Sequence, residues 1–203
     1  MQLICLGDSI TDCNRMFEDF PLGNGYVKIL SRKFQHDHKT VSIKNYGVDG
    51  FTVSRILGNV IRGQIDLHRL PVATLLIGIN DIGLMMNTDR TEVQQAQMMK
   101  DFFLTYEQLL KLLIKGTRKA VMIEPFIFPY PEKYKLWIPH VQTMCQGIRR
   151  IAAQYQVPCL TLQDYLNDTA SQEGFSSVTV DGIHLTRFGH ELLADKLYPL
   201  ISV

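Results

Sequence analysis

Val72-Ala73-Thr74-Leu75-Leu76-Ile77 is apolar at every position but Thr74, and Gly78-Ile79-Asn80-Asp81-Ile82-Gly83 follows it at once. A strand with one wet face alternates apolar and polar residues, whereas a parallel strand covered on both faces reads as a continuous apolar run. The stretch therefore predicts a strand lying between two layers of helix. Residues 2–6, 41–46, 120–124 and 157–162 read as further buried strands. Amphipathic segments lie between them. In 101–115, Phe102, Phe103, Tyr106, Leu109, Leu110 and Leu113 fall on one face of a 3.6-residue period; in 140–155, Val141, Met144, Cys145, Ile148, Ile151 and Ala152 do so. Gly116 is placed to end the first helix with a left-handed cap. Strands alternating with helices predict a parallel five-stranded sheet in a flavodoxin-like three-layer α/β/α fold.

Two segments break the alternation. Residues 125–139 hold Pro125, Pro129, Pro131 and Pro139 among aromatic residues and predict an irregular excursion over the sheet edge. Residues 163–180 predict a short helical piece at best. No repeat or linker interrupts the chain, and 203 residues fit one domain, 1–203, below the roughly 250–300 at which single cores stop growing. The net charge of +1 carries no basic run, so neither nucleic acid nor an anionic membrane is expected as a partner. Cys5, Cys13, Cys145 and Cys159 form no C-x-x-C pair and read as free thiols. The chain runs from Met1 straight into Leu3-Ile4-Cys5-Leu6, leaving no room for a signal peptide, and no apolar run approaches a membrane span; the cytoplasm is the expected location.

In open α/β sheets ligands bind beyond the carboxyl ends of the strands, and the unusual polar residues fall there. Gly7-Asp8-Ser9-Ile10-Thr11 ends the first strand. A serine at a sharp turn can act as a nucleophile when a base takes its proton, or it can simply cap a helix. Asn80 ends the third strand, where its amide could donate to a developing oxyanion or merely make a turn. Asp181-Gly182-Ile183-His184 precedes the last helix, and a carboxylate three residues before a histidine can hold the ring while its other nitrogen faces a serine. The same residues would also suit an ordinary turn and helix start.

Together these blocks resemble the SGNH, or GDSL, hydrolases along nearly the whole chain. Gly7-Asp8-Ser9, Asn45-Tyr46-Gly47-Val48-Asp49-Gly50, Gly78-Ile79-Asn80-Asp81 and Asp181-Gly182-Ile183-His184 match the family's four blocks in order. The resemblance implies an SGNH hydrolase fold, Ser9 as nucleophile, His184 as base and Asp181 as its orienting carboxylate. It implies an oxyanion hole made by the Ser9 N–H, the Gly50 N–H and the Asn80 side chain, with Gly47 the competing glycine. Gly7 through Arg15, Leu22-Gly23-Asn24-Gly25-Tyr26-Val27 and Glu124-Pro125-Phe126 are similar to intracellular carbohydrate acetyl esterases acting on xylo-oligosaccharides. Some of those carry tryptophan where Val180 stands.

The expectation is a serine ester hydrolase that removes acetyl groups from carbohydrates through an acyl-enzyme, with no metal and no cofactor. A lysophospholipase or thioesterase is the alternative, and a non-catalytic carbohydrate-binding relative the second. Asp8, Asn14, Arg15, Tyr26 and Trp137 form the set expected to meet substrate. Asp8 and Asp81 are also read as carboxylates that order their loops. His36-Asp37-His38 reads as a solvated turn rather than a metal site, His68 and His190 as helix-surface residues, and Leu84-Met85-Met86 as packing at the sheet edge. The partner is a small-molecule ester; a homo-oligomer stays open.

Overall fold

The computed structural model describes residues 1–17, 21–67 and 71–202, which leaves His68 outside the described residues. Strands β1 (Gln2–Gly7), β2 (Ser42–Gly47), β3 (Val72–Leu76), β4 (Lys119–Ile123) and β5 (Cys159–Leu160) pair in parallel in the order β2-β1-β3-β4-β5. All five residues of β3 are buried, and β1 and β4 are buried except at their first residues. The edge strand β2 leaves Ser42 and Lys44 in solvent, as edge strands commonly do.

Helix α1 (Ser9–Asp12) follows β1, and α2 (Tyr26–His36) and α3 (Val53–Ile61) flank β2. After β3 come α4 (Ile79–Met86) and α5 (Glu92–Gly116); α6 (Ile138–Gln154) precedes β5, and α7 (Gln163–Glu173), α8 (Phe175–Val178) and α9 (Arg187–Ile201) close the chain. Helix α2 packs on α9, while α3 and α6 pack on α5, so the sheet lies between two helical layers. The order of the sheet reverses between β1 and β3, which opens a crevice at their carboxyl ends.

Helix α5 starts well before residue 101. Its first two turns, including the exposed Val93, carry no apolar stripe to betray them. A capping box does mark the start: Thr91 Oγ1 accepts from Gln94 N–H and Gln94 Oε1 from Thr91 N–H. Gly116 is the helix's last residue, with no left-handed cap; Leu67 packs where its Cβ would stand. Residues 163–180 are far more helical than expected, because α7 buries only Gln163, Leu166 and Ala170 and so hides its period among polar residues.

The proline-rich excursion is buried at its start. Phe126, Ile127 and Phe128 are fully enclosed, and the segment then forms a short 3₁₀ helix, Glu132–Leu136, before α6 begins with Pro139 in its first turn. Irregular backbone in a core must find partners elsewhere. Gln163 supplies them: its Oε1 accepts from Ile127 N–H at 2.8 Å and its Nε2 donates to Ile127 O at 3.1 Å. Buried Glu124, paired with Arg149, accepts from Leu162 N–H, and Phe128 N–H donates to Gly182 O, so the excursion underpins the loop that carries Asp181 and His184. Gln163→Leu would leave the buried Ile127 N–H without a partner, while Ile127 O keeps the Asn167 amide as a donor at 3.0 Å. Urea unfolding should show a loss of about 1–3 kcal/mol; no loss would mean that water replaces the side chain.

Candidate active site

Ser9 stands where β1 turns into α1. Asp8 caps this helix: its Oδ1 accepts from Ile10 N–H at 3.1 Å, and its carbonyl accepts from Thr11 and Asp12 N–H. Gly7 has an ordinary φ; its bare Cα admits Thr11, whose Oγ1 would lie 2.1 Å from a Cβ there. The loop is pinned from β2 by Asn45, whose Nδ2 donates to Thr11 O and Leu22 O and whose Oδ1 accepts from Gly47 N–H. Ser9 N–H has no acceptor among the described residues, as expected at the first position of a helix.

His184 arrives from the opposite end of the chain. Its Nε2 lies 3.0 Å from Ser9 Oγ and its Nδ1 2.7 Å from Asp181 Oδ2. A carboxylate only accepts, so Nδ1 carries the proton and Nε2 is left as an acceptor for the serine hydroxyl. Asp181 Oδ1 also accepts from the N–H groups of Ile183 and His184. Burial pushes the Asp181 carboxyl up, but these bonds outweigh it and hold it below its ordinary value. Thr179, fully buried, locks the turn: its Oγ1 accepts from Gly182 N–H and donates to His184 O. Its place in the sequence gave no signal beyond a hydroxyl near a turn.

Asn80 lies in the first turn of α4 and not in a loop. Its Nδ2 donates to Phe51 O at 3.0 Å, which leaves the second hydrogen of the amide for another acceptor. The two candidate glycines differ sharply. Gly47 N–H is bound to Asn45, and a Cβ at Gly47 would lie 2.2 Å from Asp12 N. Gly50 has φ +71°, open space around its missing Cβ, and no acceptor for its N–H among the described residues. The structure thus brings Ser9, His184 and Asp181 into hydrogen-bond contact, while Gly50 and Asn80 line a separate cavity and Gly47 packs against Asp12.

Four of the five expected substrate contacts are corrected by burial or pairing. Asp8 is 1% exposed and occupied as a cap. Tyr26 is wholly buried, its hydroxyl 3.0 Å from Thr11 Oγ1. Trp137 is buried against Tyr134, and Arg15 Nε donates to Gly47 O. Only Asn14 lines the cavity of about 360 Å³ that opens on Ser9 and His184. His190 lines it too, but it is not a surface residue. Tyr26 N–H donates to its Nδ1 and its Nε2 lies 3.5 Å from Cys13 Sγ; burial, with His184 nearby, lowers its pKa to about 4. Leu84 is exposed and lines a second cavity of about 530 Å³ beside Gly50 and Asn80, while Met85 is buried as expected. His36 and Asp37 form an exposed pair at the end of α2. Among the described residues no group of three His, Cys, Asp or Glu could hold a metal ion, and no helix is long and apolar enough to cross a membrane.

A parallel α/β sheet whose switch-point crevice holds a hydrogen-bonded serine, histidine and aspartate has the arrangement that acyl-transfer chemistry requires. The chain belongs to the GDSL-like lipase/acylhydrolase family, whose model matches residues 5–192. It is therefore a carboxylic ester hydrolase by family. No curated protein matches it. Among solved structures it is similar to the acetylxylan esterase Axe2 of Geobacillus stearothermophilus, with TM-score 0.82, 19% identity, and 100% of this chain and 94% of that one covered. A catalytic mutant of the same esterase gives TM-score 0.84 at 19% identity, covering 100% and 94%. LAE5, an alpha/beta hydrolase from the metagenome of Lake Arreo in Spain, gives 0.82 at 17%, covering 99% and 94%. These likenesses show the fold.

Two measurements follow from this geometry. Gly47→Ala should unfold at markedly lower urea than wild type, because its Cβ meets backbone; Gly50→Ala, with open space but a φ of +71° that alanine adopts only with strain, should lose much less stability. The reverse pattern would exchange their roles. Asp8 gives the second. Burial pushes its carboxyl up to about 7, so the folded chain binds this proton more tightly than the unfolded one. The resulting stability is full below about pH 4 and is lost as pH rises through about 7. Asp8→Asn keeps the cap without the ionisation. Its urea midpoint should fall less between pH 4 and 7 than that of wild type, and parallel curves would show that Asp8 does not carry the effect.

Proposed function

We propose that the protein hydrolyses small acyl esters, acetyl esters of carbohydrates above all, through an acyl-enzyme on Ser9. The Ser9–His184–Asp181 chain of hydrogen bonds, at 3.0 and 2.7 Å, carries this reading. Ser9 Oγ attacks the ester carbonyl while His184 Nε2 takes its proton, and Asp181 stabilises the imidazolium that results. The oxyanion is received by Ser9 N–H, Gly50 N–H and the second amide hydrogen of Asn80. The tetrahedral intermediate collapses as His184 returns the proton to the departing alcohol. Water, activated by the same histidine, then attacks the acyl carbon and frees Ser9.

The choice of a small acyl group rests on the cavity beside Gly50 and Asn80, where Thr52, Ser54, Asn87 and Thr88 present hydroxyl and amide groups. A fatty chain needs a continuous apolar groove. The similarity to an acetylxylan esterase supports a carbohydrate alcohol. One observation favours the fatty-acyl alternative: Leu84, Phe17 and Val180 are exposed near the two cavities. A series of p-nitrophenyl esters separates the two. Acetyl should exceed octanoyl in kcat/KM; a value that climbs with each methylene, by up to about 0.8 kcal/mol apiece, would reveal a groove and give the case to the lipid reading.

Ser9→Ala should leave a folded protein whose turnover falls by about 10⁴-fold. Asn80→Ala should lower kcat by roughly 10²–10³ with a much smaller effect on KM. A Ser9→Ala protein with a tenth of wild-type turnover would remove Ser9 from the role. A wild-type protein that hydrolyses no ester, yet binds acetylated sugars, would point to the non-catalytic relative.

A further inference from the structure

One cavity is lined by Ser9 and His184 and another by Gly50 and Asn80, and the chemistry assigns a different part of the ester to each. His184 must hand its proton to the departing alcohol, so the alcohol lies on the His184 side, while the carbonyl oxygen turns to Gly50 and Asn80. The cavity of about 360 Å³ lined by Ser9 and His184 but by neither Gly50 nor Asn80 is then the alcohol's half. Its wall holds two groups that the fold does not use. Phe17 is 90% exposed and stacks on no aromatic ring among the described residues. Asp49 is exposed; its N–H is held by Asp12 Oδ2 at 3.1 Å, but no donor among the described residues holds its own carboxylate.

The other charged side chain in the lining is Asp12, whose two oxygens are taken by the N–H groups of Arg15 and Asp49. The nearby guanidinium of Arg15 is turned onto Gly47 O at 2.6 Å and does not line the cavity. The alcohol side thus offers an apolar aromatic face, an acceptor in want of a donor, and negative charge only.

We propose that this cavity selects an uncharged ring alcohol with hydroxyl groups on its edge, stacked on Phe17 and hydrogen-bonded to the Asp49 carboxylate, and that it rejects alcohols bearing a phosphate. The proposal rests on the serine-hydrolase reading above. A polyhydroxylated ring has an apolar face for Phe17 and hydroxyl donors for Asp49. A bare hydrocarbon ring would strip water from the carboxylate and return nothing, which a site built around a hydroxyl penalises. A phosphate would bring like charge against Asp12 and Asp49.

The test compares kcat/KM of the full chain for acetylated methyl xyloside, cyclohexyl acetate and acetylated glycerol 3-phosphate. The xyloside should exceed each of the others by about tenfold or more, the scale of one charge-assisted hydrogen bond. Asp49→Asn should lower the xyloside-to-cyclohexyl ratio about tenfold, chiefly through KM, and Phe17→Ala should lower it severalfold. Both side chains are exposed, so circular dichroism should show either variant folded. Equal rates on the three esters, or ratios that neither variant moves, would overturn the proposal. Activity that survives Ser9→Ala would overturn the reading beneath it, whereas a Ser9-dependent esterase with flat ratios overturns this proposal alone.

Discussion

The carboxylate of Asp181 accepts three hydrogen bonds within a four-residue turn, from the N–H groups of Ile183 and His184 and from the His184 ring. Two of them fold the turn and the third sets the tautomer and direction of the imidazole. Position and protonation of the base are thereby fixed by one group. The turn cannot drift from the sheet either, because Thr179 ties its two ends and Gly182 O holds Phe128 N–H of the buried excursion. Ser9 is fixed independently by the Asp8 cap and by Asn45 reaching across from β2. A contact between residues 175 positions apart therefore depends on two local constructions meeting above the sheet.

Electrostatics divides the crevice into a charged surface and a neutral floor. Asp181 is half exposed and held below its ordinary pKa, so it is ionised beside His184. Beneath them, burial pushes Asp8 and Asp81 up to about 7, and it lowers His190 to about 4. A neutral histidine and two acids that hold their protons far more tightly than exposed carboxylates lessen the charge packed under the Ser9–His184 pair. Each still does structural work: Asp81 accepts from Val53 N–H, and His190 from Tyr26 N–H.

The sheet was legible because a strand covered on both faces is apolar along most of its length, and β1, β3 and β4 are so but for Gln2, Thr74 and Lys119. The early turns of α5 and the whole of α7 were not, since both bury few side chains and show no period. Ser9, Asp181 and His184, which the structure joins by hydrogen bonds, stood out in the sequence because a serine after a strand and an Asp-x-x-His before a helix are unusual polar groupings at loop positions. The substrate set failed for a different reason. Tyr26 and Trp137 have the composition of a sugar platform, but composition does not say which way a side chain points, and both are core residues. Phe17 and Asp49, which do line the crevice, look unremarkable in the sequence, and only the folded geometry sets them beside Ser9.

The central claim is that His184, held by Asp181, activates Ser9. Treating the protein with an alkyl fluorophosphonate, then mapping the adduct by peptide mass spectrometry, tests it most directly. The account predicts one adduct, on Ser9, formed rapidly in wild type and at a rate reduced by orders of magnitude in folded His184→Ala. Equal labelling without His184, or an adduct on another residue while Ser9 stays free, would contradict it.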